Sequence, residues 1–327
     1  MGSHKWLNRF ALIYVLSGAM AFSHPIKMTL GKSFSEIPNR RSIMNPVELN
    51  AVPTDSILPF AIGLSIDSAK MMAEVPLLSK IALSVSVAGY NYWYYKGLKP
   101  VWWDGDGAHF HVINDWYKNY ALEQDKFSHF FAAQFLARQW AAICESLGWP
   151  TSQAYFWGAI SAMVTQSETE ILDGFTRRYG FSIPDYLADL GGAFFPYWQQ
   201  KYPPLQHVKM KMSYRASPFY LSGGTDLFED YDGMTFWCSF NIRQLIPHGY
   251  KKYYPHFLWV AVGYGVDKVW TGPHRTRQLY LAIDFDFSHF PIRNRLIKSL
   301  LNLLDHIHLG APTLQIYPQF KTYIYFY

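Results

Sequence analysis

The chain has 327 residues and a formal net charge of +5; half of its residues are hydrophobic, 18% are aromatic and only 16% are charged. That balance excludes a disordered chain and leaves no concentrated basic run for nucleic acid. An aromatic-rich, charge-poor chain of this length holds one large domain or two ordinary ones. It suits a protein beside a membrane, where Tyr and Trp settle at the headgroup level.

Residues 1–21 read as a secretory signal peptide. Lys5 and Arg9 precede the apolar run from Phe10 to Leu16, and Ala19-Met20-Ala21 supplies the small-residue cleavage pattern. The run is short for an anchor helix, so export is expected, to the periplasm or to an outer-membrane-associated site. No Cys lies near the expected cut, so no lipid-modified N-terminus is expected. The two cysteines, Cys144 and Cys238, either pair in an oxidising compartment or stand as two buried thiols.

Residues 22–57, with Pro25, Pro38, Pro46 and Pro53 among polar residues, read as an extended arm or linker. From Leu58 the texture turns helical. The windows Leu58 to Met72 and Leu77 to Tyr95 are apolar, but Asp67, Lys70, Glu74 and Lys80 interrupt them, so packed or interfacial helices fit better than bilayer spans. Trp102-Trp-Asp-Gly-Asp-Gly107 reads as a turn. Phe127 to Leu147 and Gln153 to Asp173 are strong helices, closed by Gly148 and Gly174. Ser182-Ile-Pro-Asp185 opens a third, with a Ser N-cap, Pro in the first turn and an acid three positions on. That helix stops near Pro203-Pro204.

Beyond Pro204 the hydrophobic period changes from helical to two. Val208, Met210 and Met212 form one alternating set, and Phe236, Cys238, Phe240 and Ile242 another. Phe257 to Val266 is a further strand, and Leu279, Leu281, Ile283, Phe285 and Phe287 alternate against Asp284 and Asp286. Arg293 to His308 is an amphipathic helix, and Thr313 to Tyr327 gives two short strands broken by Pro318. The fold class is therefore α+β: an N-terminal helical bundle over 58–203, followed by a C-terminal antiparallel β-rich region over 204–327 with one amphipathic helix. The Tyr323-x-Tyr325-x-Tyr327 ending looks like an outer-membrane strand. However, six or seven strands are fewer than the smallest single-chain barrel needs; strand addition to a partner sheet is the open alternative.

Polar residues gather between Asp125 and Gly192. Asp125 and His129 share a helix face, where a carboxylate beside an imidazole can act as a base or hold a metal. Glu170 and Asp173 lie on a second helix with Gln166 one turn earlier, and Asp185 and Asp189 share a face of a third. Convergence of the three helices would create a site suited to magnesium, manganese or zinc. The alternative is a structural network in which Lys126, Arg177 or Arg178 neutralises the acids. Asp125, Lys126, His129 and Glu170 are the candidate catalytic residues; Asp173, Ser182, Asp185 and Asp189 are the candidate binding residues. His109 and His111 flank Phe110 and read as an exposed pair. Gly223-Gly224 is too weak for a phosphate loop, and no nucleophile elbow, P-loop or dinucleotide fingerprint occurs.

Three spaced motifs carry a resemblance: Asp125-Lys126-x-x-His129, Glu170-Ile-Leu-Asp173-Gly174-Phe175, and Tyr179-Gly180-Phe-Ser182-x-x-Asp185-x-x-x-Asp189-x-x-Gly192. In that order they resemble the YfiM-like family of predicted periplasmic proteins of unknown function, over roughly residues 60 to 200. Trp93-Tyr94-Tyr95 and Phe110-His111 before Asp115-Trp116 are similar to members with long N-terminal regions. A looser likeness runs to VanZ-like membrane proteins, from which Asp189 in place of Asn and Asp173 in place of Gln depart. The resemblance implies an envelope location and a helical core built around the shared polar positions, and no reaction. The expectation is an exported, membrane-associated envelope protein, structural or interacting, with a membrane surface or envelope protein as partner. The alternative is a membrane-associated hydrolase or transferase, metal-dependent in one version, acting on a lipid-linked or glycan substrate.

Overall fold

The computed structural model describes residues 75–326 apart from 106, 117–119, 273 and 291. The expected signal peptide, the arm and the window from Leu58 to Met72 lie outside the described residues. Among the described residues no helix is long and apolar enough to cross a membrane.

The first helix, α1 (Leu77–Leu98), runs on into a π-helical turn, Lys99–Trp103. The expected turn at Trp102 therefore begins later, at Asp104 and Gly105, where Gly105 takes φ +79°. Three helices follow: α2 (Gln124–Ser146), α3 (Thr151–Asp173) and α4 (Ile183–Lys201). Ser182 caps α4 by accepting from the Asp185 N–H, with Pro184 in the first turn, as the sequence predicts.

Small residues let these helices approach closely. Ala133, Ala137, Ala154, Ala162 and Ala193 are fully buried in the core they share with Leu136 and Trp140. A Cβ on Gly158 would overlap the Ala137 carbonyl of α2, and one on Gly192 would overlap the Phe130 carbonyl. Each glycine is thus a contact point at which two helix backbones meet. A two-residue parallel pairing of β1 (Val112–Ile113) with β2 (Phe181–Ser182) ties the segment before α2 to the start of α4.

The entry to α2 is unusual. Leu122 and Glu123 both adopt positive φ, 53° and 64°, a conformation that non-glycine residues rarely hold without outside support. The support comes from the sheet. The Tyr264 hydroxyl donates to the Leu122 carbonyl, Gln124 Nε2 donates to the Met234 carbonyl at 2.8 Å, and Arg277 pairs with Glu123 at 2.6 Å.

The second half is a six-stranded antiparallel meander in sequence order: β3 (Val208–Tyr214), β4 (Met234–Phe240), β5 (Leu258–Asp267), β6 (Thr276–Phe285), β7 (Ala311–Tyr317) and β8 (Lys321–Phe326). Between β6 and β7 lies α5 (Arg295–Leu304). The α+β architecture expected from the change of period is the one observed. Helix α2 crosses one face of the sheet through Phe127 and Phe131, which pack against Phe236 and Tyr264, while Phe135 meets His306, after α5, edge-on.

Toward the end of β6 the alternation has an inverted sense. Asp284 and Asp286 turn inward and are buried, while Leu279, Leu281 and Ile283 are 36%, 42% and 39% exposed. The sheet curls around a cluster of Trp237, Ala261, Tyr280 and Ala282, so that Phe326 of β8 reaches Trp237 of β4 and Tyr280 of β6. Inside the curl, Lys211 is fully buried against Asp284 (2.9 Å) and the Phe285 carbonyl (2.6 Å). Lys209 pairs with Asp286 (2.7 Å) and Asp305 (2.5 Å), and His308 Nδ1 lies 3.0 Å from Asp284. Burial favours the neutral acid at Asp284, yet His308 and Lys211 outweigh it and hold that carboxyl down at about 2.

Cys144 and Cys238 are both free thiols. The disulfide left open by the sequence does not form, because Cys144 belongs to the helical core and Cys238 to β4.

Candidate functional site

The three polar helix faces converge. Lys126, in the first turn of α2, places its ammonium 2.5 Å from Asp115, 2.8 Å from Asp125 and 2.9 Å from Asp185. One cation therefore joins three carboxylates from the segment before α2, from α2 and from α4. The opposed charges are buried, and such an arrangement holds only with close contacts. Asp115 also accepts from the Ser182 hydroxyl at 2.8 Å. Burial acts to raise the Asp115 pKa, but Lys126 and Ser182 overcome it and the carboxyl lies below its ordinary value. Asp125 goes the other way: burial and the neighbouring Asp185 raise it against the pull of Lys126.

One helical turn on, His129 faces a second pair of acids. Its Nδ1 lies 3.1 Å and 3.2 Å from the two carboxylate oxygens of Asp189 and 3.6 Å from Glu170 Oε1. The side chain is 23% exposed, whereas those of Asp189 and Glu170 are buried. Asp189 also accepts from Gln166 Nε2, and Glu170 Oε2 accepts from the Ser182 N–H at 3.0 Å. The Asp125–His129 base suggested by their spacing is not the pairing formed. Asp125 turns to Lys126, and the imidazole turns across the bundle to α4. Burial would favour neutral His129, but Asp189, Asp185 and Glu170 together raise its pKa well above the usual value.

These groups border a cavity of about 310 Å³. Asp125, His129, Glu170, Asp173 and Asp185 line one side. The other side is aromatic, with Trp102, Tyr120, Phe228 and Trp270, and carries the Arg178–Glu229 ion pair at 2.7 Å. Glu229 also accepts from the Tyr179 hydroxyl at 2.7 Å. Burial pushes Glu170 up to about 8 and pushes half-buried Asp173 up to about 6 although Trp103 Nε1 donates to it at 2.7 Å. Glu170 is thus held in the protonated form near neutral pH, whereas Asp173 is mostly ionised there.

Two sets of side chains offer atoms within 4.8 Å of one another, close enough to share an ion: His129, Glu170 and Asp185, and Asp115, Asp125 and Asp185. In the second set the Lys126 ammonium already occupies the position of a cation. The first set fits a divalent ion better. Its donors are hard oxygens plus one imidazole, and ligand atoms around one small ion lie about 3 to 4 Å apart. Asp185 Oδ1 accepts no hydrogen bond, because Lys126 approaches it at 2.9 Å off the bonding direction. Asp189 on Nδ1 would hold the imidazole with Nε2 presented to a ligand, the usual role of a carboxylate behind a metal-binding His.

The structure brings all eight candidate residues together: Asp125, Lys126, His129, Glu170, Asp173, Ser182, Asp185 and Asp189. Of the three cations suggested as neutralisers, Lys126 takes that role within the cluster. Arg178 serves Glu229 instead, and Arg177 is exposed. His109 is exposed, and neither it nor His111 joins the cluster. Gly223 and Gly224 form a turn in which Gly223 has φ +81°. Sequence reasoning missed Asp115 as a Lys126 partner and Glu229 as part of the opposite wall. Asp115 precedes α2 in an irregular stretch, and Glu229 comes from the sheet half, so neither shows a periodic signal.

A family model described as predicted periplasmic lipoprotein (DUF2279) matches residues 114–201. No curated protein and no solved structure matches the chain. The matched span carries all eight candidate residues together with Asp115 and Gln166, and the family's description agrees with the exported, periplasmic location expected from the sequence.

Proposed function

We propose that this chain is an exported, membrane-associated envelope protein, a structural or interaction component whose helical half carries a cation-binding pocket. The observation that carries the pocket is a charge imbalance. Six carboxyl groups (Asp115, Asp125, Glu170, Asp173, Asp185 and Asp189) gather around two cationic side chains, Lys126 and His129. The raised pKa of Glu170 relieves part of the imbalance by protonation, and a divalent ion held by His129, Glu170 and Asp185 would relieve it more completely. The envelope location is supported by the matched family description and by the N-terminal pattern.

Metal analysis of the purified protein, with thermal scans in magnesium, manganese, calcium and zinc, tests the pocket. A rise in melting temperature with one of these ions, lost in Glu170→Gln and Asp185→Asn, is expected. No bound metal and no shift with any of the four would end the cation reading and leave the network as a lock between helices.

A second reading, a hydrolase or transferase acting on a lipid-linked or glycan substrate, is favoured by one specific pairing. An imidazolium held by Asp189 beside Glu170, whose carboxyl is pushed up to about 8, provides two proton donors in the lining of the cavity, either of which can act as a general acid. Turnover of cell-wall glycan fragments or lipid-linked oligosaccharides that disappears in a folded His129→Ala protein would establish it. Equal turnover by that variant would reject it.

A further inference from the structure

We infer that a second cavity, between the helical half and the sheet, binds the phosphate group of a small polar ester, free or carried as a lipid headgroup. This space of about 270 Å³ lies where α2, β3 and the end of α5 meet, and it shares no lining residue with the acid-lined cavity.

Its lining carries hydrogen-bonding groups that the protein leaves unused. Arg138 of α2 donates to the Gln199 amide oxygen, and no carboxylate pairs with it among the described residues. Neither ring nitrogen of His306 has a hydrogen-bond partner there, and the Asn302 side chain of α5 has none. Gln139 Oε1 is buried without a donor. Buried polar groups are costly to leave unpaired, and several of them converging on one space is the arrangement of a ligand site. The groups are also held in place. Met212 of β3 exchanges backbone hydrogen bonds of 3.0 Å with His306 and His308, and the Phe135 ring meets that of His306 edge-on at 5.0 Å.

The charges favour an anion, because the acids nearby are committed or stand at the rim. Asp305 accepts from Lys209 at 2.5 Å and from the Phe287 N–H at 3.0 Å, and Lys211 lies 3.4 Å from it. Asp286, behind Lys209, is taken up by that ammonium and by Ser288. Glu145 is exposed. The uncommitted charge within the space is therefore the Arg138 guanidinium. The field at His306 agrees: burial favours its neutral form, and Arg138, Lys209 and Lys211 push its pKa further down, well below the usual value. A guanidinium fork beside a neutral imidazole N–H matches the oxygens of a phosphate. At about 270 Å³ the space lies at the small end of ligand pockets, room for a phosphate with a short polyol whose hydroxyls meet Asn302 and Gln139.

The inference is independent of the cation reading, since the two cavities are lined by different residues. The test is calorimetric titration of the full chain at constant ionic strength. Its probes are inorganic phosphate, glycerol 3-phosphate and short-chain phosphatidylglycerol below its micellar concentration. Glycerol 3-phosphate is expected to bind, and Arg138→Gln to weaken it by about ten- to a hundredfold, the usual worth of a charged hydrogen bond. Ala142→Leu, which fills the space and leaves every charge in place, is expected to abolish binding. Ring-proton NMR should show the His306 pKa rising in the complex, because a phosphate opposes Arg138, Lys209 and Lys211 while Asp286, Asp305 and Glu145 stay unchanged. Tighter binding of the lipid than of glycerol 3-phosphate would make a headgroup the source; the reverse order would make it a soluble ester. Equal affinity in the folded Arg138→Gln and Ala142→Leu proteins would overturn the proposal, as would no binding of any of the three probes. If Arg138→Gln fails to fold, Ala142→Leu and the His306 titration decide.

Discussion

His129 and Asp189 are sixty positions apart in the chain, yet the imidazole Nδ1 lies within 3.1 Å and 3.2 Å of both oxygens of a fully buried carboxylate. Gly192, one turn beyond Asp189, makes the meeting possible, because α4 approaches α2 there with no room for a Cβ. Close helix packing and charge pairing are therefore one feature of the structure.

Removing the imidazole should expose how much that pairing holds. His129→Ala leaves Asp189 buried with Gln166 as its remaining side-chain donor. Breaking a buried pair typically costs about 3 kcal/mol or more, a fall of roughly 6–12 °C in melting temperature for a chain of this size. The double variant His129→Ala, Asp189→Asn should lose less than the two single changes summed, read by thermal or denaturant unfolding.

Lys126→Met should be the most damaging single change in the helical half. It removes the cation shared by Asp115, Asp125 and Asp185. Asp115, whose folded pKa is depressed, contributes stability above its unfolded value near 3.8 that is lost as pH falls through the folded value. Without Lys126 that contribution disappears. The variant should be weaker than the native protein across neutral and mildly acidic pH and recover relative to it only as pH falls below 3.8, measured as the difference between their unfolding midpoints.

Glu170 sets the opposite pH dependence. Its folded pKa, about 8, exceeds the ordinary 4.5, so the folded state binds the extra proton between those values. Stability from this group is full below pH 4.5 and is lost as pH rises through 8. His129, also raised, acts in the same direction, with stability lost as pH climbs above its unfolded value near 6.5. Melting temperature should therefore decline from mildly acidic to alkaline pH, and Glu170→Gln should flatten the decline. An unchanged slope in that variant would show that Glu170 does not carry the proton.

The two adjacent glycines of α4 should behave differently. A methyl group on Gly192 would collide with the Phe130 backbone, whereas one on Gly191 would meet only the Phe130 ring at ordinary contact distance. Gly192→Ala should destabilise by about 1–3 kcal/mol through overpacking. Gly191→Ala should be neutral or slightly stabilising, as expected for Gly→Ala in a helix. Parallel urea titrations of the two variants check both expectations.

The sequence by itself determined the helices and strands, because hydrophobic period, the Ser182 cap and the Pro and Gly stops act within a few residues. It also determined which polar side chains share a helix face, since i, i+3 and i, i+4 spacing is a property of one helix alone. Only the tertiary structure decided that His129 would turn to Asp189 instead of Asp125, because that choice depends on how closely α2 and α4 approach. Only the tertiary structure added Asp115 and Glu229, which arrive from an irregular segment and from the other half of the chain. The sense of β6 was hidden for a related reason: an alternation of period two reads the same whether its leucine side faces inward or outward. Burial of Lys211 with Asp284 and His308 settled that sense, through contacts between β3, β6 and the segment after α5 that lie far apart in sequence.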